Sequence, residues 1–253
     1  MIPSYACLKA HENKLFMYEY LFFFKNLRKY IIDFKNFGTF EDLLRNINKI
    51  SFPAVLKMSN GSGSTNVFLA KSKLGLLSLT FRKSLTFSTY DLFADFIKRI
   101  FYNGYIAKSH NRKKFTIQKL VENIDFDYKV IIYYNRYFIL LRKNRKKDFK
   151  ASGSGDFIFP KSVNLEILKA AKDIYKTMDV PFLSLDLLQT PNNKKVKLIE
   201  LQFLMFGTLT VENSEFFYKH IKNNKFIKKK NYLSLEEHIS YSIVNHIKTK
   251  NNL

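Results

Sequence analysis

The sequence predicts an α+β protein whose sheets are mainly antiparallel. Three observations predict this. Apolar runs of strand length are joined by turn residues: YKVIIYY and YFILLRK flank Asn135-Arg136, and PFLSLDLLQT and KKVKLIELQF flank Pro191-Asn192-Asn193. Stretches with apolar residues at helical spacing alternate with these runs. Hydrophobic residues make up 46% of the 253, ample for a packed core and too many for a disordered chain.

The elements follow in order. Residues 12–32 read as helical, with Leu15, Tyr18, Leu21 and Phe22 at helical spacing. FPAVLKM (52–58) is a strand with Pro53 at its start, where a missing N–H is tolerated. SNGSGS (59–64) is a loop, and NVFLAK (66–71) completes a hairpin. STYDLFADFIKRIFYN (88–103) repeats apolar residues every third or fourth position and reads as a helix. KFTIQKLV (114–121) is a strand, followed by the hairpin of 128–143 and a polar, basic segment over 144–157. Leu165–Met178 is a helix, the strands of 181–203 form a second hairpin, and Ser234 with Glu237 forms a capping box for a terminal helix. These elements divide into a short N-terminal segment (1–50) and subdomains over 51–117 and 118–253.

Charge and cysteine content narrow the function. Lys and Arg number 43 against 21 Asp and Glu, a formal net charge of +22. Only eight of the 43 are Arg, whereas base edges and phosphates are best read by Arg forks. No specific nucleic-acid partner is expected. Weak attraction to an anionic membrane surface follows from the charge alone. Cys7 is the single cysteine, which excludes an intrachain disulfide and a multi-thiolate zinc site and points to the reducing cytoplasm. No apolar run approaches the ~20 residues of a membrane span, and the first 14 residues lack a signal-peptide core. The five histidines form no metal-ligand spacing, and no Gly-x-Ser-x-Gly elbow occurs.

Three features carry chemistry. Lys57 ends a strand before Ser59-Asn60-Gly61-Ser62-Gly63-Ser64, whose backbone N–H groups and hydroxyls suit phosphate oxygens. A plain hairpin tip is the other reading. Asp186 and Glu200 interrupt apolar strands that the hairpin makes neighbours, and alternation puts Val196, Leu198, Glu200 and Gln202 on one face. Carboxylates there are costly unless paired, so they meet lysines or an oxygen-ligated ion such as magnesium. Arg142, Arg145 and Lys150 form a basic run before Ser-Gly-Ser-Gly, either an anion clamp or a solvated loop. Asp127 and Lys129 alternate on one strand face just before it.

The collinear segments IPSYACLKAHENK, FPAVLKMSNGSGSTNV, IQKLVENIDFDYKV, LRKNRKKDFKASGSG, LSLDLL and LIELQ resemble the ATP-grasp superfamily. The similarity is closest to ATP-grasp proteins of bacterial surface-polysaccharide clusters, relatives of glutathione synthetase and RimK-type ligases. The resemblance implies two α+β lobes gripping ATP between them. It implies Lys14 and Lys57 as ATP lysines, and 59–64 as a lid over the β- and γ-phosphates. Gln118, Lys119, Leu120 and Val121 would form the adenine hinge, with Asp127 also at the nucleotide. Asp186, Glu200 and Gln202 would hold magnesium. Arg142, Lys129 and Arg145 would be catalytic, with Arg142 at the transferred phosphate. Two residues depart from the common pattern: Lys129 stands where many members have Arg, and Gln202 where Asn is common. Only 13 residues precede Lys14, so the N-terminal domain is expected to be reduced or absent, with a homo-oligomer or a partner supplying it.

The implied reaction is ATP-dependent ligation of a small-molecule or sugar-linked carboxylate to an amine through an acyl phosphate. A kinase-like phosphotransferase and a non-catalytic nucleotide- or polyanion-binding module are the alternatives.

Overall fold

The computed structural model describes residues 3–61, 65–86, 88–107, 109–144, 155–204 and 206–251. They form two compact units, one from residues 1–32 and 121–253 and one from 33–120. These boundaries differ from the expected breaks after 50 and 117. Residues 34–37 are a strand paired with 115–118, so they belong with the sheet that follows them.

The unit of residues 33–120 has a four-stranded antiparallel sheet. Its strands are β1 (Phe34–Phe37), β2 (Ala54–Met58), β3 (Val67–Ala70) and β4 (Phe115–Lys119), in the order β1-β4-β2-β3. The alternation of β2 sends Ala54, Leu56 and Met58 into a core with Phe37, Leu43, Leu76, Phe115 and Ile117. The chain's first two helices, α1 (Tyr5–Glu12) and α2 (Lys14–Phe23), precede this unit, whose own helices are α3 (Phe40–Asn46), α4 (Lys73–Ser84) and α5 (Thr89–Phe101). Thr39, Ser72 and Ser88 cap α3, α4 and α5 by accepting backbone N–H bonds. Strand β1 and helices α3 and α4 were not anticipated from the sequence.

The other unit has a seven-stranded sheet, all antiparallel. Its strands are β5 (Phe126–Tyr133), β6 (Arg136–Lys143), β7 (Phe157–Ile158), β8 (Phe182–Gln189), β9 (Val196–Gln202), β10 (Phe216–His220) and β11 (Phe226–Lys230). The order is β11-β10-β6-β5-β8-β9, with β7 beside β6. Helix α6 (Leu165–Met178) packs on β8 and β9 through buried Ile167, Leu168, Ala171 and Ile174. Helices α7 (Leu209–Glu212) and α8 (Leu235–Asn251) contact β5 from the chain's last third. Residues 12–32 are not one helix: α2 ends at Phe23, and a 3-10 helix follows over Lys25–Tyr30.

Candidate functional site

Strand register gathers the charged residues. Asp127 lies opposite Arg142, Lys129 opposite Asp186, Asp186 opposite Glu200, and Ser184 opposite Gln202. Directly opposed residues share a face. Four adjacent strands, β6-β5-β8-β9, therefore present one charged surface. Farther along β5 and β6 the side chains turn apolar, and Ile131, Tyr133 and Phe138 pack with Val211 and Phe217.

The contacts are close. Arg142 Nε donates to Asp127 Oδ1 at 2.7 Å, and Nη2 donates to Oδ2 at 2.9 Å. The same Nη2 lies 2.8 Å from Asp186 Oδ2. Lys129 Nζ donates to Asp186 Oδ1 at 3.3 Å and to Gln202 Oε1 at 3.5 Å. Lys14, in the first turn of α2, places Nζ 3.4 Å from Glu200 Oε1. The pairing of carboxylates with cations, one of the two sequence readings, is present in the structure.

Asn13 starts α2 by accepting the Phe16 N–H at 3.2 Å, which fixes where Lys14 leaves the helix. Tyr18, one turn on, donates to the Ile199 carbonyl at 2.8 Å and ties α2 to β9. Ile199 is an extra residue in β9, because Asp186 pairs with Glu200 while Leu187 pairs with Leu198. The expected single face of Val196, Leu198, Glu200 and Gln202 is thus split: Leu198 shares a face with Leu187, and Glu200 with Asp186.

Electrostatics divide the two buried aspartates. Burial and the Asp186 charge push the Asp127 carboxyl up to about 6, against the pull of Arg142 and Lys129. Burial acts on Asp186 as well, but Lys129 and Arg142 outweigh it and hold that carboxyl below its ordinary range. Burial opposes the charge on Arg142, and the two carboxylates overcome it, so the guanidinium stays charged.

Asp186, Glu200 and Gln202 offer a set of oxygen donors on adjacent strands, and that donor chemistry fits magnesium. The set holds two carboxylates and an amide. Among the described residues, no group of three or more His, Cys, Asp or Glu gathers as a metal site.

In the unit of residues 33–120, Lys57 is buried on β2, opposite Val67 on β3 and Thr116 on β4. Its face also carries Gln118 and Asn36, with Thr116 donating to Asn36 Oδ1 at 2.6 Å. Gln118 Nε2 is buried and finds no hydrogen-bond partner among the described residues. Polar Thr116 and Gln118 alternate with apolar Phe115 and Ile117, which is the sequence signal that both polar side chains share the face of Lys57. The N–H groups of Lys119 and Leu120 are taken by the carbonyls of Asp33 and Pro53. Those two donors are thus used inside the unit. Val121 falls in the other unit, which resumes at that residue.

The Ser59 N–H is likewise taken, by the Lys114 carbonyl at 3.0 Å. Gly61 has φ +126°, where a Cβ would meet the Asn66 side chain at 2.6 Å, so the turn requires glycine. Ser62, Gly63, Ser64, Arg145 and Lys150 lie outside the described residues. His11 accepts the Phe203 N–H at 3.2 Å.

Solved structures match this architecture. A RimK-domain ATP-grasp protein from Sphaerobacter thermophilus aligns at TM-score 0.54 and 8% identity, over 97% of this chain and 70% of its own. D-alanine–D-alanine ligase from Bacillus anthracis aligns at 0.51 and 17%, over 81% and 59%. N5-carboxyaminoimidazole synthetase from Staphylococcus aureus, solved with ADP, aligns at 0.55 and 13%, over 83% and 49%. The chain has the ATP-grasp fold and spans between 49% and 70% of these three proteins. No protein-family model and no curated protein matches the sequence.

Proposed function

We propose that the chain is an ATP- and magnesium-dependent carboxylate–amine ligase working through an acyl phosphate. The observation that carries this reading is the array of Arg142, Asp127, Lys129, Asp186, Glu200 and Gln202 on one face of an ATP-grasp sheet. The matched structures include ligases that join amino acids, which supports the reaction class. The ADP-bound synthetase supports the nucleotide.

In this reading a carboxylate oxygen of the acid substrate attacks the γ-phosphorus of ATP, and ADP leaves. The amine then attacks the acyl carbon, inorganic phosphate leaves, and the amine gives up a proton. No covalent enzyme nucleophile is needed. Catalysis rests on positioning and on charge complementarity. Arg142, locked by Asp127, is a preoriented cation for the transferred phosphoryl group. Lys129 balances Asp186 and serves the acyl phosphate. Lys14 and Lys57 are the proposed cations for the ATP phosphates. Arg145 forks the acid substrate's carboxylate. Asp186, Glu200 and Gln202 would hold magnesium, which neutralises phosphate charge when bound. The segment resemblance supports a cytoplasmic role in modifying surface glycans, with a sugar-linked acid as one substrate.

One observation favours a second reading, a nucleotide-binding module without turnover: both Asp186 oxygens already face cations. The test is release of ADP, measured against AMP, across a panel of carboxylates and amines. Carboxylate-dependent ADP release supports the ligase. Mg-ATP binding without such release supports the module.

A further inference from the structure

Helix α5 is amphipathic in an inverted sense. At about 100° per residue, its charged side chains fall in the order Lys98, Asp91, Asp95, Arg99 across little more than a quarter of the helix circumference, with Thr89 of the first turn the one polar residue outside that arc. Tyr90, Phe93, Phe96, Ile97, Ile100 and Phe101 cover the rest. A helix on a water-soluble surface turns its apolar side inward. Here the acids turn inward. Arg112 donates to Asp91 at 2.9 Å, and the Tyr105 hydroxyl donates to Asp95 at 2.5 Å. No side chain of α5 is buried, and Phe93, Phe96, Ile100 and Phe101 are 64%, 62%, 61% and 74% exposed.

We infer that α5 docks the protein in the plane of an anionic lipid bilayer. The occupant is argued from charge. Lys98 and Arg99 border the apolar sector on its two sides, while the acids between them are engaged by Arg112 and Tyr105. That is the arrangement of an interfacial helix, with apolar side chains in the acyl boundary and cations among the headgroups. A second copy would bring the same cations and another +22 against the first, which disfavours self-association. Anionic headgroups are attracted by the same charge. Tyr90 and Tyr102, at the two ends of the helix, suit the water–lipid interface. The 13-residue helix is too short to cross a bilayer, and among the described residues no helix is long and apolar enough to do so.

The test uses flotation of the full chain with vesicles. One set is phosphatidylcholine, and the other adds about a third phosphatidylglycerol. The parent protein is expected to float with the anionic vesicles only. Phe93→Ser/Phe96→Ser/Ile100→Ser and Lys98→Glu/Arg99→Glu should each weaken flotation by at least about tenfold. The chain contains no tryptophan, so Phe96→Trp provides a single emission probe that needs no loss of binding. Its emission should shift to the blue on adding anionic vesicles and be quenched by lipids brominated on the acyl chain. Absence of flotation, flotation that survives both sets of changes, or an unshifted tryptophan overturns the proposal. A lipid-independent oligomer in sedimentation, dissolved by the triple substitution, overturns it in favour of a second copy.

Discussion

Arg142 grips Asp127 across the β5–β6 pair by two parallel hydrogen bonds, 2.7 and 2.9 Å long, with both side chains 8% exposed. The same guanidinium touches Asp186, so one cation serves two carboxylates. Removing it leaves two buried acids with Lys129 as the one other cation facing them among the described residues. Arg142→Ala should cost about 3–5 kcal/mol. Arg142→Lys keeps the charge, loses the fork and should cost less. Urea unfolding checks both. A cost below about 1 kcal/mol for Arg142→Ala would show that the grip is not structural.

Asp186 and Glu200 should respond differently to loss of charge. Asp186→Asn breaks contacts with two cations in a site 13% exposed, and should destabilise by more than about 2 kcal/mol. Glu200 is 28% exposed and faces Lys14 at 3.4 Å, so Glu200→Gln should change stability by less than about 1 kcal/mol. Magnesium-dependent ADP release should be lost in both. Stability and turnover measured side by side distinguish a ligand role from a structural one. Full turnover in Glu200→Gln would remove it from the proposed ion site.

Mg-ATP should raise the melting temperature more than ATP with chelator. At one hundred times the dissociation constant, the stabilisation is about 2.7 kcal/mol. Lys57→Ala should reduce the shift. Equal melting temperatures with and without nucleotide would contradict the proposed function.

His238 predicts an acid-sensitive fold. Arg136 can only donate, so the 2.8 Å contact makes His238 Nδ1 the acceptor, and Nε2–H donates to Asn231 Oδ1 at 2.9 Å. Burial and the Arg136 charge lower the histidine from 6.5 to about 4. The native state therefore refuses a proton that the unfolded chain accepts between those values. Stability from this site is full above 6.5 and falls as pH drops toward 4. His238→Gln keeps an acceptor and a donor and cannot titrate. It should flatten the difference in urea midpoint between pH 7.5 and 5, to be compared with the parent under ~0.1 M salt. An unchanged difference would remove His238 as the cause.

The hairpins were legible because their strands alternate or run apolar up to strong turns, and the structure has β5 and β6 joined at Tyr134-Asn135. Helix α6 was legible to its last residue, since its apolar stripe is long and Asn164 caps it. The bulge at Ile199 was not, because alternation has no mark for an extra residue. Strand β11, FIKKK, reads as a charge run. It is the outermost strand of its sheet, and its lysines blunt an exposed edge. In the site, residue types suggested which groups carry charge. Only register could show that Lys129 faces Asp186 and that Gln118 turns its amide toward the side of Lys57.

Asp33 and Lys119 are joined by a 3.1 Å backbone hydrogen bond at the two ends of the 33–120 unit. That unit is continuous in sequence, and its first strand pairs with its last. The other unit is interrupted, and Tyr18 must reach Ile199 across a separation of 181 residues. During synthesis the continuous segment is complete before β8 and β9 exist. Its folding would draw Ile32 and Val121 together, replacing a long floppy connection with a short one and lowering the closure entropy of the contacts still to come. The later sheet would then assemble onto a chain already shortened for it. Pulse-labelled hydrogen exchange should find protection in 33–120 ahead of 126–202, and the reverse order would refute this sequence of events.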